Sequence, residues 1–165
     1  MGTQLGMNGK MYYLASGTRA TWGTANSGGI HEGSAPTGLT EMGNVRDVTL
    51  NLEEGEADVT TRANDGWRAT EPTLKEGSIE FEMVYDPADA GFTKILGSWL
   101  QRTVIAFAIL DAAKEISGTM GLWADFKVIS FSKSEALEEG QTVSVTIKPA
   151  YSTVAPEWVK VTGGA

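Results

Sequence analysis

A chain of 165 residues, 41% of them hydrophobic and 21% charged, suits one domain that buries about 68% of its unfolded surface. Its 13 basic and 21 acidic side chains leave a net charge of −8. That excludes a duplex-DNA reader held by phosphate contacts and a domain docked on an anionic bilayer. With no cysteine there is no disulfide framework, thiolate metal site or cysteine nucleophile. The longest apolar run, residues 104–110, is strand-sized, far short of the roughly 18 residues of a membrane span. The first residues, Met1-Gly2-Thr3-Gln4-Leu5-Gly6, lack the basic and apolar regions of a secretory signal, so a soluble, cytoplasmically made domain is expected.

Residues 1–44 carry 10 of the 20 glycines and only four charges, Lys10, Arg19, Glu32 and Glu41. Within them Lys10-Met11-Tyr12-Tyr13-Leu14-Ala15 predicts a short strand, and 16–44 an extended Gly-rich arm or loop, mobile in an isolated subunit. The single histidine, His31, reads as a solvated loop residue, since a histidine metal site wants at least two.

From Val45 the period becomes two. Val48, Leu50 and Leu52 alternate with Asp47, Thr49 and Asn51, and the alternation weakens through Glu56, Asp58, Thr60 and Arg62. After the turn signal Asn64-Asp65-Gly66 and a loop to Gly77, Ile79, Phe81, Met83 and Tyr85 alternate with Glu80, Glu82 and Val84. A long antiparallel hairpin over 45–85, with little apolar content at its tip, follows.

Asp86-Pro87-Ala88-Asp89 predicts a helix start capped by Asp86, with Phe92, Ile95, Leu96 and Trp99 forming one apolar face. Residues 103–110 are apolar on both faces, as in a strand covered by a helix on one side and a sheet on the other. A strand over 122–134 changes its facing midway, 136–140 is an acidic turn, and Val143, Val145 and Ile147 mark a last strand ended by Pro149. Residues 151–165 read as a flexible tail ending in a disordered Gly163-Gly164-Ala165. The expected fold is one mainly β domain over 1–165: a sandwich or barrel of six to seven antiparallel strands with one flanking helix and a long hairpin.

Enzyme signals are thin. No G-x-S-x-G elbow, P-loop or G-x-G-x-x-G occurs, and Glu53-Glu54-Gly55-Glu56-Ala57-Asp58 does not fit a calcium loop. No catalytic residue, metal or cofactor is expected. A hairpin with one weak face leaves unpaired edges, which a ring of identical subunits removes. Over 53–65 five acids against Arg62 give −4, and such a face turned to a bore would repel phosphates and let DNA slide.

The ordered set of motifs over about 7–150 resembles the tail tube protein of long non-contractile (siphophage-type) phage tails. It comprises Lys10-Met11-Tyr12-Tyr13, Gly43-Asn44-Val45-Arg46-Asp47-Val48-Thr49-Leu50, Glu56-Ala57-Asp58-Val59-Thr60-Thr61-Arg62, Gly66-Trp67-Arg68, Leu74-Lys75-Glu76-Gly77-Ser78-Ile79-Glu80-Phe81-Glu82, Asp86-Pro87-Ala88-Asp89-Ala90-Gly91-Phe92 and the strand 143–147. The resemblance implies two packed sheets, an architecture shared with the type VI secretion tube. It implies hairpins of six copies joined into an inner barrel, and stacked hexameric rings polymerising around a tape-measure protein from a tail-tip platform, with tail-tip and terminator proteins as partners. It also implies a virion tail assembled in the host cytoplasm, with DNA passing through unbound and no membrane partner. Carried onto this chain, Glu53, Glu56, Asp58, Thr60 and Arg62 would line the lumen. Trp22, Asp65, Trp67, Arg68, Glu71 and Trp158 would make inter-subunit or inter-ring contacts, within 16–44, 63–76 and 151–165. The competing readings are a glycan-binding β-sandwich using Trp22, Trp67, Trp123 and Trp158 as sugar platforms, or another tail component, such as a completion protein, that forms one ring.

Overall fold

Alternation of apolar and polar residues organises most of the chain into strands. The computed structural model describes residues 5–135 and 137–163. The described residues form β1 (Lys10–Leu14), β2 (Thr24–Ala25), β3 (His31–Gly33), β4 (Leu39–Glu41), β5 (Val45–Asp58) and β6 (Thr70–Val84). There follow the helix α1 (Ala90–Gln101), β7 (Ile105–Leu110), β8 (Met120–Ser134), β9 (Thr142–Pro149) and β10 (Glu157–Val161). The fold is mainly β with one α-helix, as expected. Expectations that fall on residues 1–4, 136, 164 and 165 lie outside the described residues.

β8 is the hinge between two layers. Its first half pairs with β7 and β10, and its second half, from Phe126 on, with β9. One layer runs β2-β3-β10-β8-β7-β1-β4; the other runs β8-β9-β6-β5. The predicted change of facing in β8 is a bulge between Val128 and Ser130, which leaves Ile129 half exposed.

Between the layers lies the larger core: Ile79, Phe81 and Met83 of β6, Val143, Val145 and Ile147 of β9, and Phe107 and Phe126. The helix closes its side through Phe92 and Ile95, with Phe92 5.9 Å from Phe131. Asp89, not Asp86, caps that helix, its carboxylate accepting the Phe92 amide at 2.8 Å. Asp86 instead closes the turn before it, accepting the Ala88 amide at 2.9 Å. Pro87 occupies that turn rather than the first helical position, which moves the cap three residues on.

β7 is covered on both faces, but its second cover is the Gly-rich segment. Ala106, Ala108 and Leu110 pack with Tyr12, Trp22, Leu39, Trp123, Val159 and Val161. Residues 16–44 are thus no extended arm: they contain β2, β3 and β4 and lay Trp22 edge-to-face on Trp123, at 5.9 Å and 72°. Gly23, at φ 51°, lets this segment pass where a Cβ would lie 1.9 Å from the Glu32 carbonyl oxygen. Nor is 151–163 a free tail, since β10 inserts between β3 and β8.

Candidate assembly surface

The sheet β5-β6-β9-β8 has one face in the core and one in water. Ladder pairs Leu50–Ile79 and Val48–Phe81 lie on the core side. Opposite them, pairs Thr49–Glu80 and Glu53–Glu76 in the hairpin, and Ser130–Thr146, Ser132–Ser144 and Lys127–Lys148 between β8 and β9, form a polar face. Four carboxylates (Glu53, Glu76, Glu80, Glu82) and Lys127 and Lys148 share it with hydroxyls, and Arg46 of β5 donates to Glu82 at 3.4 Å. Both edges of this sheet are open among the described residues: β5 pairs only with β6, and beyond Phe126 β8 pairs only with β9. Each edge carries a bulge, between Val45 and Val48 and between Val128 and Ser130.

Beyond Ile79 the hairpin leaves its neighbours, because β9 ends at Pro149. Its outer half therefore projects without a flanking strand. Leu52 and Leu74 stay 53% and 81% exposed. The tip is nevertheless ordered chemically: Asp58 accepts from the Thr60 amide at 2.9 Å and hydroxyl at 2.5 Å, which holds its carboxyl below the usual carboxylate range. Thr61 and Asn64 then form a capping box around a single 3₁₀ turn, and Asp65 takes the left-handed conformation that ends it. Trp67, 79% exposed, and Arg68 follow.

The predicted lumen set does not share one surface. Because β5 runs without interruption through 53–58, the bulge there being an extra residue on β6, Glu53 points to the polar face and Glu56 and Asp58 to the other. Thr60 and Arg62 are not on the strand at all but in the tip. The polar face is also of mixed sign rather than uniformly acidic, a consequence of Lys127 and Lys148 arriving from β8 and β9.

Of the predicted contact residues, Asp65, Trp67, Arg68 and Glu71 gather at or next to the hairpin tip. Trp158 is 38% exposed on β10, where it lines an open apolar cleft with Leu52, Leu122, Pro149 and Pro156. Trp22 is a correction: at 0% exposure it belongs to the subunit's own core, as does Trp123.

Sequence reading missed the polar network that holds the Gly-rich segment down. Arg19, its side chain fully buried, donates from Nε to Asp125 Oδ2 at 3.1 Å and from its terminal nitrogens to the carbonyls of Trp123, Val154 and Ala155. Glu157, also buried, accepts the Trp22 amide at 2.9 Å, and His31 Nδ1 lies 3.1 Å from the Trp22 carbonyl. His31 is thus a half-buried partner of this network rather than a solvated loop residue. The only signal was an isolated Arg in an otherwise uncharged stretch.

Among the described residues no group of His, Cys, Asp and Glu is placed to hold a metal, and no helix is long and apolar enough to cross a membrane. A family model described as phage tail tube protein matches residues 29–150. No curated protein sequence matches the chain. Among solved structures, the tail of an empty gene transfer agent particle, refined with C6 symmetry, superposes with a TM-score of 0.65 at 14% identity, covering 91% of this chain and 96% of that one. The virion of a native gene transfer agent gives 0.63 at 14%, covering 94% and 98%. The SPP1 tail tube gives 0.64 at 13%, covering 96% and 80%. The likeness to these tubes is one of fold, and the family match spans most of the sequence: the chain belongs to the phage tail tube protein family, structural proteins of the virion tail.

Proposed function

We propose that six copies of this chain close into a ring and that the rings stack into the tail tube through which the genome leaves the particle. The observation that carries this reading is the four-stranded sheet with one polar face and two open edges. In the order β5-β6-β9-β8 the strands alternate in direction, so the two edge strands run opposite ways. Pairing β8 of one copy with β5 of the next therefore continues the antiparallel ladder and leaves no edge in the closed barrel. The polar face then lines a water-filled bore. Its hydroxyls, its excess of carboxylates over lysines and the engagement of Arg46 by Glu82 give the DNA backbone few free cations to hold.

In this reading the partners are other copies of the chain, a tape-measure protein inside the growing tube, and tail-tip and terminator proteins at its ends. Assembly takes place in the host cytoplasm. No catalytic step or cofactor is involved. Of the four tryptophans a sugar-binding module would draw on, Trp22 and Trp123 are spent on the subunit's core, which weakens that competing reading.

Negative-stain electron microscopy of the purified protein at rising concentration, with light scattering alongside, tests the proposal. Hollow tubes of uniform bore are expected. Rings that never extend would favour a completion protein, and a monomer with saturable glycan binding would favour the binding module.

A further inference from the structure

The two open edges of the sheet differ in what stands beside them. Over β8 lies the C-terminal end of α1, where Trp99 rests on Phe131 with ring centres 6.5 Å apart. Leu100 and, just past the helix, Val104 follow, 64% and 41% exposed. Ile129, left half exposed by the bulge, stands on the same edge strand. Beside β5 the core stops one strand short of the edge. Ile79 and Phe81 of β6 are buried, but their ladder partners Leu50 and Val48 on β5 are only partly covered. There the two layers part in an open groove of about 670 Å³, lined by Val45, Val48 and Leu50 on one side and by Met11, Met42 and Ile109 on the other.

The ladder sets both features at one height. Phe131 pairs with Val145, Val145 with Phe81, and Phe81 with Val48. The residue under Trp99 and the residue at the mouth of the groove thus lie on one line across the sheet, both on its core side. Three strand spacings, roughly 14 Å, separate β8 from β5, so the exposed end of α1 stands at the edge away from its own groove. Each subunit carries a knob on one edge and a socket on the other.

We infer that the C-terminal end of α1 of one copy seats in the groove beside β5 of its neighbour in the ring, Trp99, Leu100 and Val104 covering the neighbour's Val48 and Leu50. The inference rests on the tube reading above and adds a side-chain lock to the edge-to-edge ladder. The occupant follows from continuity. Pairing β8 with the next β5 sets the two strands about 4.8 Å apart, which carries what stands over β8 onto what lies beside β5. Charge agrees with it. On the groove's rim Lys10 is held by Glu41 at 2.8 Å and Arg46 by Glu82 at 3.4 Å, which leaves Asp47 without an ion pair among the described residues. Arg102, the C-cap of α1, likewise makes none. Main-chain pairing alone tolerates a slip of two residues, which keeps every side chain on its face. A knob in a socket does not, so the lock fixes the register between subunits. The contact joins unlike surfaces of identical copies and closes with the rotation of the ring.

The absence of native cysteine makes the test direct. Assembled protein carrying Val48→Cys and Val104→Cys, treated with a short bis-maleimide, should run in a denaturing gel as a ladder that stops at the number of copies in one ring. Each single-cysteine variant should stay monomeric in that gel. Tubes that form without a ladder overturn the inference and leave the tube reading standing. A ladder that runs on past one ring would place the contact between rings and overturns it too, whereas a native chain that forms neither rings nor tubes overturns both readings. Independently, Leu100→Glu alters a side chain exposed in the free subunit, so its melting temperature should stay unchanged. The concentration needed to form rings should nevertheless rise by about tenfold or more. Ring formation by that variant at the native concentration overturns the inference.

Discussion

Glu53 and Glu76 stand directly opposite each other in the β5–β6 ladder, on the polar face of the sheet. Like charges in register destabilise a hairpin, by about 0.2–1 kcal/mol relative to a neutral pair. The next strand supplies Lys148 beside the pair, with Ser78, Asn51 and both glutamates lining one shallow hollow. Folding alone does not ask for two carboxylates here; the bore proposed above would.

Replacing Glu76 with Thr should therefore stabilise the isolated subunit by ~0.2–1 kcal/mol, Thr also being the better strand former. Urea unfolding measures it. A midpoint that falls would mean that Glu76 is held by Lys148 or Lys75 strongly enough to outweigh the repulsion.

The buried network predicts a loss. Removing the guanidinium of Arg19 by Arg19→Ala leaves the carboxylates of Asp125 and Glu157 largely buried without a counter-charge, which costs ~3–5 kcal/mol. Denaturation followed by tryptophan fluorescence reports it, because Trp22 and Trp123 sit against the network. Deleting residues 16–40 should be worse, exposing the second core. A deletion variant that folds with native stability would show that this segment is an accessory after all.

That last expectation reverses what the amino-acid pattern suggests, and the reason is physical. Strand periodicity is written in pairs of neighbours, so β5, β6 and β9 could be read from alternation alone, β7 from its strand-length apolar run, and the change of facing in β8 from the break in its pattern. The Gly-rich segment has no period. Its deepest apolar anchor, Trp22, is fixed by Trp123, which is remote in sequence, and Leu39 by its pairing with Leu14 of β1. β10 is short and follows Pro149 and Pro156, so it too draws its identity from the strands on either side. The site was legible as a polar hairpin, but not which of its acids share a face: that needs the strand to be known continuous at 53–58, and a bulge on β6 is invisible in β5.

The helix start offers a small, clean comparison. Asp89→Ala should cost ~1 kcal/mol, because the Phe92 amide loses its acceptor. Asp86→Ala should cost less, since it disturbs only the preceding turn. Thermal melts of the two variants decide between them; a larger loss for Asp86 would return the cap to that residue.

Acid should loosen the hairpin tip. The carboxyl of Asp58 titrates below its ordinary value because the charged form accepts two bonds from Thr60. With the folded value below the unfolded one, the stabilisation is complete above the unfolded value, near pH 4, and disappears as pH falls through the folded one. An NMR titration of the Asp58 carboxyl should show the low midpoint. Thr60→Ala, which removes the hydroxyl donor, should move it upward. A midpoint unchanged by that substitution would mean that the backbone amide alone sets it.

The bore prediction now separates residues that look equivalent in the sequence. Glu53, Glu76 and Glu80 share the polar face, whereas Glu56 lies on the opposite side of the same strand. In the proposed tube, reversing the first three to Lys would put three new cations per copy on the path of the DNA, and each phosphate contact made there would have to be broken again as the strand moves. Particles carrying those substitutions should assemble tubes of normal length yet eject DNA more slowly, the delay growing at low salt, where counterion release favours binding most. Glu56→Lys should leave ejection unchanged. The decisive measurement is the ejection rate of the two variants across a salt series. A delay confined to the Glu56 variant would mean that the opposite face of β5 lines the bore, and would turn the proposed barrel inside out.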